Sequence, residues 1–319
     1  MAAFNIYKGE MMDSHDPAIF LMSQVIAMKH FAPVFFTAVA LAAEPGGVPA
    51  GKPVQNQPPA ESPASPPAAL EAGALGDGAV GKSIRVKLPG DEEMKLCYCP
   101  PGSFMMGSPE GEAGHIAEEN QVSVRITRGF WMARTEFTQG QWEALMAGNP
   151  SGFKGAKLPV ECVSWDDVQS AVAKLNATVK PPAGWEWSLP SEAQWEYACR
   201  AGSKTAFAFG DTLTSAQANL KESNLEKTTE VSSYAPNAWG IHDMHGNVWE
   251  WCLDYRGEKM AGGADPTGPA AGTFRVFRGG SWDVSAGVCR SARRSDDKPG
   301  VQYDDLGFRP VLVQRAVNP

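Results

Sequence analysis

Between Asp243 and Glu250 the chain reads Asp-Met-His-Gly-Asn-Val-Trp-Glu, a concentration of hard oxygen donors on the side chains of Asp243, Asn247 and Glu250. Its glycine lets backbone carbonyls turn toward a shared centre, and six to eight such oxygens are what calcium takes as ligands. A competing use of Glu250 is a salt bridge or amide contact that holds the loop. His242 and His245 flank Asp243 and supply the residue types of a two-histidine, one-carboxylate iron site. Three residues apart in a glycine-containing turn, they need not converge, and His245 reads more simply as a loop residue. Ser281 follows two glycines but lacks the Gly-x-Ser-x-Gly elbow of a hydrolase. Cys97 and Cys99 stand two apart on a strand-like segment, so they face one side and are poorly placed to bridge each other. With Cys162 and Cys252 they read as buried or separately bridged cysteines whose pairing the spacing does not decide. Trp239, Trp249, Trp251 and Trp282 read as core and pocket walls rather than a carbohydrate platform. Arg290, Arg293 and Arg294 beside Asp296 and Asp297 look like a solvated charged rim, with Arg309 a buried partner for an internal carboxylate.

The elements that must position these groups are short. Thr138 to Gln141, Ser164 to Asp167 and Ser191 to Gln194 each carry the spacing in which a cap hydroxyl and the third side chain satisfy each other's exposed amides, so each predicts a helix. In the second, Val168, Val172 and Leu175 share one face; Gly148 and Gly202 stand where the first and third would take a left-handed ending. Alternation predicts an opening strand over residues 83–99, interrupted and then resumed at Met94 to Cys99, and a closing strand in LGFRPVLV. The 33 glycines, 25 prolines and 10 tryptophans of the 319 residues favour turns pinned by aromatic anchors over long helices. No repeat period is evident, which disfavours a solenoid or propeller. A formal net charge of −8 argues against a nucleic-acid partner.

Ahead of the core-forming residues, MKHFAPVFFTAVALAA from Met28 to Ala43 has a lysine, a short apolar run and a small-x-small ending at Ala40-Leu41-Ala42. That pattern predicts an export signal over residues 1–42, with the true start at either Met1 or Met28, a periplasmic or extracellular protein, and no membrane span after cleavage. Residues 43–82, rich in Pro, Ala and Gly, read as a flexible spacer, which leaves one domain over 83–319.

The stretches PPGSFMMGS, VECVSWDDV, SLPSEAQWEYACRAG, PNAWGIHDMHGNVWEW, RVFRGGSW, CRSARRS and LGFRP, in this order, closely resemble the formylglycine-generating enzyme family, also called sulfatase-modifying factors. The resemblance implies an α+β, C-type-lectin-like fold, loop-rich and poor in regular secondary structure. It implies structural calcium held by Asp243 and Glu250 and by the carbonyls of Met244, Gly246 and Val248, and a further site at Asn219 with the Leu220 carbonyl. The oxidising members hold copper(I) on two thiols just after the RGGS turn, where paired soft thiolates leave the metal open to oxygen and substrate. Here the first of these positions is either taken by Val284 or falls in a loop that this chain has shortened. Cys289 is the one cysteine in the segment, and its CRSARR context matches the family's structural disulfide to the cysteine of the WEYACRAG helix, so the resemblance implies a Cys199–Cys289 bridge. Ser281, Trp282 and Trp249 are the implied pocket residues, and Ser281 and Cys289 become catalytic candidates if the chain is a copper-dependent oxidase of sulfatase cysteines. Otherwise the reading is a calcium-stabilised binding or accessory protein for a protein or peptide partner, a divergent enzyme with different chemistry in the same pocket, or a calcium-dependent glycan binder.

Overall fold

All three capping segments open helices in the computed structural model, which describes Ala68, Ala69, Leu75 and residues 78–315. Helices α1 (Gln139–Leu145), α2 (Trp165–Thr178) and α3 (Glu192–Arg200) begin at Thr138, Ser164 and Ser191, each with the reciprocal side-chain to backbone bonds of a capping box. Val168, Val172 and Leu175 of α2 are buried, as their shared face requires. Gly148 and Gly202 both take positive φ, at +78° and +93°, as expected after α1 and α3; Ala201, at φ +47°, is left-handed as well, and Met146 between α1 and Gly148 is extended.

The strands are β1 (Ala68–Ala69), β2 (Ser83–Lys87), β3 (Glu93–Cys99), β4 (Gly102–Met106), β5 (Val122–Ile126), β6 (Phe130–Ala133), β7 (Val179–Lys180), β8 (Trp185–Ser188), β9 (Trp249–Tyr255), β10 (Gly263–Ala264), β11 (Arg275–Arg278), β12 (Arg294–Asp297), β13 (Leu306–Phe308) and β14 (Val311–Gln314). Antiparallel pairing builds the five-stranded sheet β2-β3-β6-β14-β8, so the closing strand lies between elements early and midway in the chain. A four-stranded sheet runs β12-β11-β9-β13, with β13 parallel to β9 and Gly307 opposite Glu250. A three-stranded sheet runs β10-β5-β4. The two residues between β13 and β14, Arg309 and Pro310, therefore link the two larger sheets. This is the loop-rich α+β architecture expected.

The predicted export signal and most of the spacer lie outside the described residues. The end of the spacer does not: β1 pairs in parallel with β7, and Leu75 is buried in the largest apolar cluster, so folded structure begins before Ser83. No helix among the described residues is long and apolar enough to cross a membrane.

Candidate functional site

Arg309 is fully buried at the junction of the sheets, and its guanidinium grips the Glu250 carboxylate through Nε at 3.1 and 3.0 Å and Nη2 at 2.6 Å. Nη1 and Nη2 also donate to the Ala133 and His242 carbonyls at 3.0 Å each, while Trp195 Nε1 donates to Glu250 Oε2 at 2.7 Å. Arg309 thus has the internal carboxylate partner foreseen for it, and Glu250 takes the loop-holding role. A buried carboxylate committed to a guanidinium fork has its charge compensated by that partner.

The other oxygen donors lie around Asn247. Gly246, at φ +85°, lets the backbone approach closely enough for Asn247 N to donate to the Asn219 carbonyl at 2.8 Å; a Cβ there would collide with that carbonyl. The Asn247 amide donates to Glu136 Oε1 at 3.0 Å and accepts from Asn219 Nδ2 at 3.2 Å and Thr229 N at 2.9 Å. Glu136 Oε2 and Asn219 Oδ1, both buried, have no hydrogen-bond partner. Asp243 accepts from Ser232 N at 2.7 Å, and its carboxyl is pushed up to about 6, by burial first and then by the charge of Glu250. Burial, followed by the charge of Asp243, pushes Glu136 well above the carboxylate range. Burial raises both carboxyls, the charge of Asp243 raises Glu136 further, and a hydrogen bond from Glu136 moderates the rise of Asp243; with the Asn219 amide oxygen they are the hard donors gathered around Asn247. The Leu220 carbonyl is less available, since it accepts from Ser223 N at 2.8 Å, and the Met244 carbonyl faces the Cys199 thiol at 3.7 Å. Glu136 was not singled out from the sequence; the sign available was a carboxylate inside the strand-like run FWMARTEF.

Neither histidine is open to iron. His245 is fully buried, its Nδ1 donates to the Cys289 carbonyl at 2.7 Å, and its Nε2 accepts from Ala208 N at 3.0 Å. Burial lowers its pKa to about 4, so the ring is a neutral strut, edge-on to Phe207 and Phe209. His242 lies between the Tyr234 carbonyl at 2.8 Å and Arg134 Nη2 at 2.7 Å.

The RGGS turn carries positive φ at Gly279 and Gly280 and brings Ser281 inward, where its hydroxyl donates to Asp305 Oδ2 at 2.8 Å. Ser281 and Trp249 are buried: the serine is turned into the fold, and Trp249 packs edge-on against Phe277. Trp282 is half-buried, edge-on to Phe153, with Nε1 donating to the Asp304 carbonyl at 3.3 Å. Cys289 is fully buried in an apolar cluster with Phe207, Leu213 and Leu220, so close beneath Gly280 that a Cβ there would strike its sulfur. Burial pushes this thiol far above its ordinary pKa.

All six cysteines are free thiols. The expected Cys199–Cys289 bridge is not formed, and the reason is register. Ser291, two residues further on, is the side chain facing Cys199, its hydroxyl 3.6 Å from the sulfur, with His245 Nε2 at 3.7 Å. Cys289 presents its carbonyl, not its sulfur, to that region through His245. Cys97 and Cys99 are buried in one apolar cluster with Cys199 and Cys252.

Part of the expected charged rim is interior, while Arg293, Asp296 and Asp297 stay partly exposed. Arg290 and Arg294 are 1% and 3% exposed. Arg290 holds both oxygens of buried Glu119 at 2.8 Å, and Arg294 holds Glu192 at 2.6 and 2.7 Å. Fully buried Arg278 pairs with Glu196, which also binds Arg200 at 2.8 Å. These pairs tie α3 to β11 and β12.

Residues 87–314 match the family described as Sulfatase-modifying factor enzyme 1-like domain. The chain is 40% identical over 243 residues to serine/threonine-protein kinase pkn1 of Chlamydia caviae, covering 67% of this chain and 37% of that protein. It is 36% identical over 174 residues to the formylglycine-generating enzyme of Streptomyces coelicolor, covering 47% and 51%. It therefore spans between about a third and a half of these curated relatives. Among solved structures, PvdO from Pseudomonas aeruginosa superposes with TM-score 0.66 at 27% identity, over 74% of this chain and 99% of that one. Treponema denticola variable protein 1 gives 0.66 at 27%, over 72% and 98%. The fold, the order of its motifs and the match across most of its foldable length agree: the chain belongs to the sulfatase-modifying factor, or formylglycine-generating enzyme, family.

Proposed function

We propose that this chain is an exported binding or accessory member of its family that has given up copper-dependent thiol oxidation and is stabilised by calcium. The observation that supports the loss of oxidation is the placement of Cys289. Its sulfur is packed beneath Gly280 among apolar side chains, and the segment from Ser281 to Arg294 holds no second cysteine. A copper(I) site needs two accessible thiolates, and burial keeps Cys289 a protonated thiol. Calcium, when bound, supplies charge that compensates Asp243 and Glu136; the chain's own contribution is to hold these carboxyls and Asn219 around Asn247. The partner in this reading is a protein, a peptide or a glycan.

The decisive experiment incubates the purified chain, reduced and loaded with copper(I), with a Cys-x-Pro-x-Arg peptide under oxygen. The expected result is an unchanged peptide mass and no tight stoichiometric copper binding. Loss of mass as the thiol becomes an aldehyde overturns the reading. In parallel, added calcium raises the melting temperature and a chelator reverses it; a melting temperature indifferent to both removes the calcium half of the proposal.

A further inference from the structure

The segment joining β4 to β5 borders a cavity of about 550 Å³, within the range of small-molecule sites, whose lining includes Ser108, Glu110, His115 and Gln121. None of the groups around Asn247 or Ser281 contributes to it. One imidazole nitrogen there has its role set from behind. The Ser108 hydroxyl is buried and lies 2.7 Å from both His115 Nδ1 and Glu119 Oε2. Burial alone would raise the pKa of Glu119, but the bonds from Arg290 and Ser108 hold it below the ordinary value, so this carboxylate only accepts. Ser108 has a single proton, and it goes to Glu119. His115 Nδ1 must then donate to Ser108 Oγ, so that with a single ring proton Nε2 is a lone-pair acceptor on a side chain that lines the cavity. The lining holds one carboxylate, Glu110, and no lysine or arginine. Its acceptors favour a cationic donor.

We propose that this cavity binds ligands through a primary ammonium group, which donates to His115 Nε2 and to the Glu110 carboxylate, with the Gln121 amide oxygen as a further acceptor. A lysine side chain of a peptide and an amino sugar share that chemistry. The test uses the full chain labelled with nitrogen-15 in histidine, with the His115 signals assigned through the His115→Gln variant. N-acetyl-lysine amide and glucosamine are titrated beside their uncharged counterparts, N-acetyl-norleucine amide and glucose. The expected result is that at least one amine moves the His115 ring signals and its uncharged counterpart does not; which amine does so identifies the source. Glu110 is exposed, so Glu110→Gln leaves the fold intact, and it weakens that binding about ten- to a hundredfold, the loss of one charge-assisted hydrogen bond. Equal binding of an uncharged counterpart, equal binding by Glu110→Gln, silence of the ring toward both amines, or a neutral ring protonated on Nε2 overturns the proposal.

Discussion

Ser291→Cys should create the disulfide that the native chain does not form. The serine hydroxyl sits 3.6 Å from Cys199 Sγ, both residues are fully buried, and cysteine for serine is nearly isosteric, so the reduced variant keeps the native packing. The two positions are 92 residues apart. Closing a loop of that length in the unfolded chain removes about 16 cal/mol/K of entropy, or about 4.6 kcal/mol at 25 °C. For a domain of this size that corresponds to a rise of about 9 to 18 °C in melting temperature, with native-state strain pulling toward the lower end. The measurement is peptide mapping after mild oxidation, followed by thermal unfolding with and without reductant. Native chain carried through the same oxidation should keep Cys199 and Cys289 alkylatable once unfolded. Two results refute the reasoning: a Cys199–Cys289 peptide in the native chain, or a Ser291→Cys chain whose melting temperature ignores reductant. Either would mean that Ser291 is not the residue facing Cys199.

Arg309→Met leaves Glu250 buried without its guanidinium and should cost about 3–5 kcal/mol in urea unfolding, while adding Glu250→Leu to it should recover part of that loss; equal costs for the single and double variants would show that the pair is not coupled. Glu136→Gln removes a carboxylate from the cluster around Asn247, so the calcium-induced rise in melting temperature should fall by more than half, and a full rise would exclude Glu136 as a donor. Burial and then the charge of Glu192 raise Asp254 to about 6 from an unfolded value of 3.8. The folded chain holds that proton more tightly, so the associated stability, about 3 kcal/mol, is fully present below about pH 4 and lost as pH rises through 6. Asp254→Asn should lack this fall, and parallel unfolding free energies of variant and native chain across that window would refute the assignment.

What the sequence made legible follows from how far each interaction reaches. The helix caps close within four residues, so Thr138, Ser164 and Ser191 could be placed before any tertiary structure was known. Arg309 was legible for a different reason: a cation in the apolar run LGFRPVLV must find a buried carboxylate, although nothing local says that it is Glu250. Arg290 and Arg294 carried no such signal. They stand among charged neighbours, and their partners Glu119 and Glu192 lie 171 and 102 residues away. The Cys199 pairing failed on register: after the RGGS turn the chain could be read with either Cys289 or Ser291 beside Cys199, and only the path set by Gly280 and by the His245 bond to the Cys289 carbonyl distinguishes them.

That path also bears on what the segment after Ser281 can do. Its groups are engaged in joining loops to one another: the Val284 carbonyl accepts from Lys221 N at 3.0 Å, the Trp282 amide donates to the Asn247 carbonyl at 3.0 Å, and the Cys289 carbonyl orients His245. The Val284 side chain packs against the largest apolar cluster as well as against the one that contains Cys289. A thiol pair for copper would need two sulfurs on backbone free to face oxygen and a substrate, whereas these positions are occupied by packing and by carbonyl contacts between Asn219, Asn247 and the RGGS turn. The oxygen cluster around Asn247 lies within the same set of contacts, since Asn247 bonds both Asn219 and Trp282. The oxygen cluster and the segment after the RGGS turn therefore form one hydrogen-bonded unit, so the proposed calcium binding and the proposed loss of oxidation can be tested on the same residues.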